Sequence, residues 1–461
     1  MKSNKSLFIV LTALFLFSVA MGQKQTPPEG GKPKDFVLPK KQTFMLPNGL
    51  RVTMVPYGSL PKVTVRVTTL AGNNNENENQ IWLSDLMGEY LKEGTKSRSA
   101  QQISEDAATM GGNVNVSVGL DQMWVGGDVL SEFAPNLVEL LADIIQNPSF
   151  PEKEIERLKR DMLRTLSIQK SQPQAMAQEK FMKVLFGNHP YGNIFPTEQM
   201  VQDYKRSDVE AFYTANVGAQ RSQVYVVGMF DGKKVEAAIR NAFGKWGKGP
   251  EPYVNIPKPM SKRAVYLLHR PGAAQSTIYM GLPIIDPSHP DYLKLLVTNA
   301  LLGGSFASRI TSNIRENKGY TYSPFSTVST FYRAAYWAEV ADVTTDVTGA
   351  SLKEIFYEID RLQSEVPSKD ELAGIQNYMA GTFVLQNSSR GGIIGQLSFL
   401  SLHGLPDSYL TGYVKKVHAV TPHDVQRIAQ TYLRDEEMTI VIAGDRGKIE
   451  PQVSPYGQIM E

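Results

Sequence analysis

Gln223-Val224-Tyr225-Val226-Val227-Gly228 is a short apolar strand closed by a glycine, and a matching strand closes 216 residues later at Gly444. The same offset relates Asp208-Val209 to Asp424-Val425, and Pro151-Glu152-Lys153 to Pro367-Ser368-Lys369. One match at a given spacing carries little weight. Three at one spacing, each in the same kind of element, argue for a domain written twice. Gly247 to Pro259 holds four prolines and two glycines, and reads as a linker between the copies. The expected organisation is a first domain over 42–246, a linker over 247–262 and a second domain over 263–461.

Outward from that strand, the first copy alternates strand and helix signals. Val63 to Thr68 alternates apolar and polar residues, as a half-buried strand does, and Asn113 to Gly119 alternates likewise. Long helical segments are expected over Ala134–Ile145 and Pro151–Ser171, and a shorter one over Ser207–Ala215. Pro151 with Glu152 and Glu154 suits a helix start.

At 461 residues with 42% hydrophobic and 20% charged residues, the chain can bury a sizeable core. Lys2 and Lys5 precede an apolar run from Leu7 to Ala20, broken only by Thr12 and Ser18. Ala20-Met21-Gly22 before Gln23 fits a signal-peptidase site, and the run is short for a membrane span. The expectation is a cleaved signal peptide over 1–22, a Pro- and Lys-rich leader over 23–41, and a periplasmic protein without a transmembrane anchor. Cysteine is absent, so neither a lipid anchor, nor a disulfide, nor a thiolate metal site is available. Losing Lys2 and Lys5 takes the formal charge from +2 to 0, which gives no case for nucleic acid or anionic lipid.

In Ile81 to Thr95, Leu83, Leu86, Met87, Tyr90 and Leu91 form an apolar helical stripe. Asp85, Gly88, Glu89 and Lys92 fall on the opposite face, and Gly94 ends the helix. Read locally, this is a solvated polar stripe.

An ordered set of patterns surrounds that helix. Leu46-Pro47-Asn48-Gly49-Leu50-Arg51-Val52 opens the first copy, Ala71-Gly72 with Glu76 follows the first strand, and Gly94-Thr95 ends the helix. Met110-Gly111-Gly112-Asn113-Val114-Asn115 and His189-Pro190-Tyr191-Gly192 come later. Leu301-Leu302-Gly303-Gly304-Ser305-Phe306-Ala307-Ser308-Arg309 and Ile314-Arg315-Glu316-Asn317-Lys318-Gly319-Tyr320-Thr321-Tyr322-Ser323 lie in the second copy. The set resembles the pitrilysin (insulinase) zinc peptidase family, which includes the mitochondrial processing peptidase and its bacterial relatives. The resemblance implies an α+β fold of two similar domains, each an antiparallel sheet with packed helices, closing clam-like around a peptide cleft.

Active members of that family carry His-x-x-Glu-His on the helix ending in Gly-Thr. Counted back from Gly94, the histidine positions are Asp85 and Glu89, the catalytic glutamate position is Gly88, and the third ligand position is Thr165. All four depart from the family pattern. Catalytic zinc needs three protein ligands, and its bound water needs a base, which glycine cannot supply. The six histidines, His189, His269, His289, His403, His418 and His423, are scattered, and the last two are separated by Pro422. Asp85 and Glu89 together could at most hold a hard cation with water completing its shell.

The family also uses an arginine and a tyrosine seven residues apart to grip the substrate backbone, and Arg315 and Tyr322 have that spacing. Arginine offers a rigid fork of donors, and a tyrosine hydroxyl can donate to a developing oxyanion. Read locally, Arg315 favours a helix C-terminus before Gly319 and Tyr322 packs in a strand. Gly303-Gly304 lacks the Gly-Lys-Ser/Thr of a phosphate loop. The resemblance thus implies a non-catalytic, peptide-binding subunit that binds no metal itself and pairs with a zinc-bearing subunit of the same family, whose site Arg315 and Tyr322 complete. Unfolded peptide would be the substrate, and the edge of the first-domain sheet could add it as a strand. The alternatives are an independently active zinc endopeptidase with atypical ligands and a purely structural subunit.

Overall fold

A computed structural model describes residues 34–253 and 255–460. The expected signal peptide and the first part of the leader lie outside the described residues. No helix among the described residues is long and apolar enough to cross a membrane.

The first copy builds one six-stranded sheet: β1 (Gln42–Met45), β2 (Arg51–Pro56), β3 (Lys62–Thr69), β4 (Asn113–Val118), β5 (Met123–Leu130) and β6 (Ser222–Gly228). Its strand order is β1-β2-β6-β3-β5-β4. Its helices are α1 (Leu83–Tyr90), α2 (Ala100–Thr109), α3 (Ala134–Gln146), α4 (Ile155–Ser171), α5 (Pro173–Phe186), α6 (Glu198–Asp203), α7 (Arg206–Asn216) and α8 (Gly232–Phe243). The expected strand ending in Gly228 is β6, inside the sheet, where near-continuous apolar sequence is what burial on both faces requires.

The second copy repeats this with β7 (Ala264–His269), β8 (Gln275–Ile284), β9 (Phe325–Phe331), β10 (Ala334–Thr344), β11 (Thr439–Gly444) and β12 (Ile459–Met460). Their order is β12-β7-β11-β8-β10-β9, position for position the order of the first sheet. Its helices are α9 (Tyr292–Leu302), α10 (Thr348–Ser364), α11 (Lys369–Gln386), α12 (Arg390–His403), α13 (Ser408–Thr411), α14 (Tyr413–His418), α15 (Pro422–Tyr432) and α16 (Arg446–Val453). Caps set several boundaries: the Ser368 hydroxyl accepts from Glu371 N at the start of α11, and Thr421 with Asp424 forms a capping box on α15.

The α+β class and the two similar halves stand as expected, with one difference. Neither sheet is wholly antiparallel: β2 runs parallel to β6, β11 parallel to β7, and β12 parallel to β7. A strand that returns after a long helical excursion can join its neighbour in either direction.

Each half packs its own helices on one face of its sheet. The other face is covered by a helix from the opposite half. Phe181 and Leu185 of α5 join Tyr279, Tyr336 and Val441 of the second sheet in one apolar cluster. Ile393, Ile394 and Leu397 of α12 pack on Val55, Tyr225 and Val227 of the first sheet. Arg390, opening α12, donates from Nη2 to Asp128 of β5 at 2.7 Å. The end of the leader is also anchored, since Phe36 meets Phe383 of α11 edge-on at 5.4 Å and Leu38 packs beside it.

Candidate functional site

Helix α1 begins after Trp82, whose backbone is left-handed at φ 68°, a strained value for a bulky residue. Its surroundings hold it there. The Trp82 backbone N–H donates to Glu76 Oε2 at 3.1 Å, and its indole Nε1 donates to Ile194 O at 3.0 Å. Glu76 Oε1 accepts from Ser84 N at 2.8 Å and Ser84 Oγ at 2.5 Å, so this carboxyl satisfies helix-start donors. The Glu76 carboxyl is pushed up to about 8, by burial above all and also by nearby Asp85, against the hydrogen bonds from Ser84 and Trp82, which pull the other way.

Asn73 joins this cluster to α1, donating from Nδ2 to Asp85 Oδ2 at 2.7 Å and to Ser84 Oγ at 3.0 Å. Asp85 is largely desolvated, which raises its carboxyl above the usual range despite the bond from Asn73. Gly88 is buried, and a Cβ there would lie 2.6 Å from Val118 Cγ2 on β4. Glu89 and Lys92 are exposed and paired at 2.5 Å, while Asp85 is half-buried. The expected solvated stripe is therefore half correct. Gly88 is buried and Asp85 half-covered because β4 and the Asn73 loop close over that side of α1. Thr165 lies exposed on α4 and donates its hydroxyl to Asp161 O at 3.0 Å.

These residues do not fit a catalytic zinc ion. Asp85 is held by Asn73, Glu89 by Lys92, Thr165 has turned to its own helix, and Gly88 offers no base. Among the described residues no cluster of three or more His, Asp or Glu side chains could hold a metal. Three of the histidines instead cap backbone, with Nδ1 of His189, His269 and His289 accepting from Tyr191, Arg446 and Asp291 N–H groups.

The second expected pair does come together. Arg315 sits near the end of a π-helical turn, Thr311–Asn317, which Asn313 ties to Glu354 and Glu358 of α10 at 3.0 and 2.8 Å. Gly319, at φ 65°, reverses the chain, and Thr321 Oγ1 then bonds Asp342 O of β10 at 2.7 Å. That path returns Tyr322 to Arg315, whose guanidinium carbon lies 4.9 Å from the tyrosine ring centre. Tyr322 is 78% exposed in a loop, so the local reading of a packed strand residue fails for it.

Phe306, part of a quoted motif but given no role in it, also lies against the cation, its ring centre 4.6 Å from the guanidinium carbon, and is itself 66% exposed. Its loop hugs the sheet because Gly303 has no side chain: a Cβ would meet Ser326 Oγ at 2.5 Å and Glu339 Oε2 at 2.7 Å. Beneath that loop Glu339 is fully buried, neither carboxyl oxygen has a partner among the described residues, and burial holds the group well above the ordinary range. Sequence reading had no signal for Asn73 or Glu339, since a polar residue in a loop or strand does not announce its burial.

Comparison with known proteins decides the family. The family model described as Insulinase (Peptidase family M16) matches residues 54–197, and the one described as Peptidase M16 inactive domain matches residues 203–379. The chain belongs to peptidase family M16. This M16 chain is similar to an uncharacterized zinc protease of Streptomyces coelicolor, 22% identical over 84% of this chain and 86% of the relative. One from Mycobacterium tuberculosis is 24% identical over 78% and 81%. Among solved structures, a peptidase M16 inactive domain from Pseudomonas fluorescens superposes with a TM-score of 0.81 at 24% identity, covering 88% of this chain and 98% of that one. A protease from Helicobacter pylori gives 0.82 at 21% identity, covering 88% and 100%. These two likenesses extend the M16 fold over both halves of the chain.

Proposed function

We propose that this M16 chain is the non-catalytic, peptide-gripping subunit of a periplasmic zinc peptidase, and that a zinc-bearing M16 partner completes the site in trans. One observation carries this reading. The chain exposes an organised Arg315–Tyr322–Phe306 cluster while its α1 positions present no donor set for zinc. A guanidinium packed against two rings is pre-oriented; its Nε is paired with Glu316 Oε1 at 3.2 Å, and its other N–H groups can donate to a peptide carbonyl. The Tyr322 hydroxyl supplies a donor for a carbonyl oxygen gaining charge, and Phe306 adds an apolar seat for a neighbouring side chain. Strand β4 is an outer strand of its sheet beside α1, so an extended unfolded peptide can add to it by backbone hydrogen bonds.

The test is peptide cleavage by the chain alone, by a partner carrying His-x-x-Glu-His alone, and by both mixed. Activity should need the partner's zinc and rise on mixing. Arg315→Ala and Tyr322→Phe should each lower the mixed rate by about 10²-fold, the scale of losing one oxyanion donor. An unchanged rate in both variants would leave a purely structural subunit. Zinc-dependent cleavage by the chain alone would establish an independent enzyme. Cell fractionation checks the periplasmic assignment.

A further inference from the structure

The packing of α12 on the first sheet is uneven along its length. At one end Ile393, Ile394 and Leu397 meet Val55 and Val227, and the contact is apolar. At the other end the sheet face carries Arg51, Gln223 and Thr68, and the two surfaces part around a cavity of about 420 Å³. A second cavity of about 300 Å³ shares Arg51, Gln223, Tyr225 and Ser401 with it. Small-molecule sites run roughly from 300 to 1,000 Å³ and favour boundaries between halves of a protein.

Three polar groups on the wall of the larger cavity are uncommitted. The Arg51 guanidinium makes no hydrogen bond or ion pair with any described residue. Thr68 is only 5% exposed, yet its hydroxyl has no partner among the described residues. Asn74 uses its amide nitrogen on Asp121 and the Tyr191 hydroxyl, each at 3.3 Å, while its buried carbonyl oxygen bonds no described residue. Buried polar groups without partners are rare in folded proteins, and two beside an unpaired cation in one cavity mark a place built for a polar molecule. The neighbouring polar side chains are already fixed: Gln220 donates to Gly249 O at 2.7 Å, and Gln223 accepts from Ser401 at 2.9 Å. The wall is thus ordered before anything enters.

We propose that this cavity binds a small carboxylate that also carries hydrogen-bond donors, of the size of a short peptide or a sugar acid. Arg51 takes the carboxylate, Asn74 accepts from a donor on the ligand, and the Thr68 hydroxyl completes the set. The inference is independent of any role for Arg315 and Tyr322. It bears on α1 all the same, because Asn74 follows directly on Asn73, which holds Asp85. A molecule seated on Asn74 firms the loop that closes over α1.

The experiment is calorimetric titration and thermal melting of the full chain with three probes: triglycine, triglycine amide and glucuronate. At least one of the two acids should bind saturably and raise the melting temperature, and which one does identifies the source of the carboxylate. The amide should bind at least about tenfold more weakly than triglycine where triglycine is the ligand. Arg51→Ala should weaken the bound acid about tenfold or more, with the fold checked by circular dichroism. Thr68→Val should weaken it severalfold while leaving the ligand-free chain at least as stable as the wild type, since the change removes a buried unpaired hydroxyl. Binding of neither acid at about 10 mM, equal binding of triglycine and its amide, or unchanged binding in Arg51→Ala would each overturn the proposal.

Discussion

A Cβ at Gly88 would come within 2.6 Å of Val118 Cγ2, so the missing side chain on α1 and the β-branched residue on β4 are matched in shape. Valine has few rotamers in which to retreat. Two effects oppose each other in Gly88→Ala. A helix gains about 1 kcal/mol from Ala over Gly, whereas overpacking a filled site costs about 1–3 kcal/mol. The overpacking term is the larger, and urea denaturation should show Gly88→Ala to be less stable than wild type. A variant as stable as wild type would mean that Val118 yields easily. Gly88→Glu meets the same wall with a longer, charged side chain, so restoring the family's glutamate at this position alone should not restore a site.

Among the elements, the strands over Val63–Thr68, Asn113–Gly119 and Gln223–Gly228 and four helices of the first half are legible in the sequence, because alternation and i, i+3, i+4 spacing record which side chains are buried. Helices expected over 134–145 and 207–215 stand at Ala134–Gln146 and Arg206–Asn216. What periodicity cannot record is the partner of a buried face. Nothing in Ile393, Ile394 and Leu397 says that α12 leaves its own half, and nothing in Asn73 says that it turns toward Asp85. The Arg315–Tyr322 spacing is legible only through the family resemblance, whereas the loop path through Gly319 and Thr321 that makes the spacing useful is set by tertiary contacts that no motif records. Strand β10 carries a further element-scale surprise, for Glu339 sits fully enclosed beneath the Gly303 loop. Its raised proton affinity in the folded state means that the folded chain holds a proton which the unfolded chain releases above the ordinary carboxylate range. Stability from this group is therefore complete below that range and falls as pH rises, by about 1.4 kcal/mol per pH unit until the folded group itself ionises. Glu339→Gln should flatten that part of the pH–stability curve and leave the variant the more stable at pH 8, as measured by denaturation at several pH values. Parallel curves for the two proteins would show that Glu339 has found a partner.

For the whole molecule, the two sheets share one strand order, yet their outermost strands come from different parts of the chain. Strand β1 precedes its sheet and pairs antiparallel, whereas β12 follows its sheet and pairs parallel. The reciprocal covering by α5 and α12 is what unites the halves. Expressed separately, residues 34–250 and 262–460 should each expose an apolar sheet face and an orphaned helix, and should aggregate. Expressed together, they should co-purify as one particle and unfold in a single transition; two soluble, independently folding halves would contradict this.

That mutual covering also says something of ancestry. A lone copy of the repeated unit would have had nowhere to seat its projecting helix except on a second copy of itself. Two identical copies trading that helix make a closed, symmetric, domain-swapped dimer. The present chain has the geometry such a dimer would take once duplication and a proline-rich connection had made its two subunits one. The differences between the two interfaces, aromatic rings gathered under α5 and a mix of apolar and polar residues under α12, are then what each side acquired after the symmetry was no longer enforced.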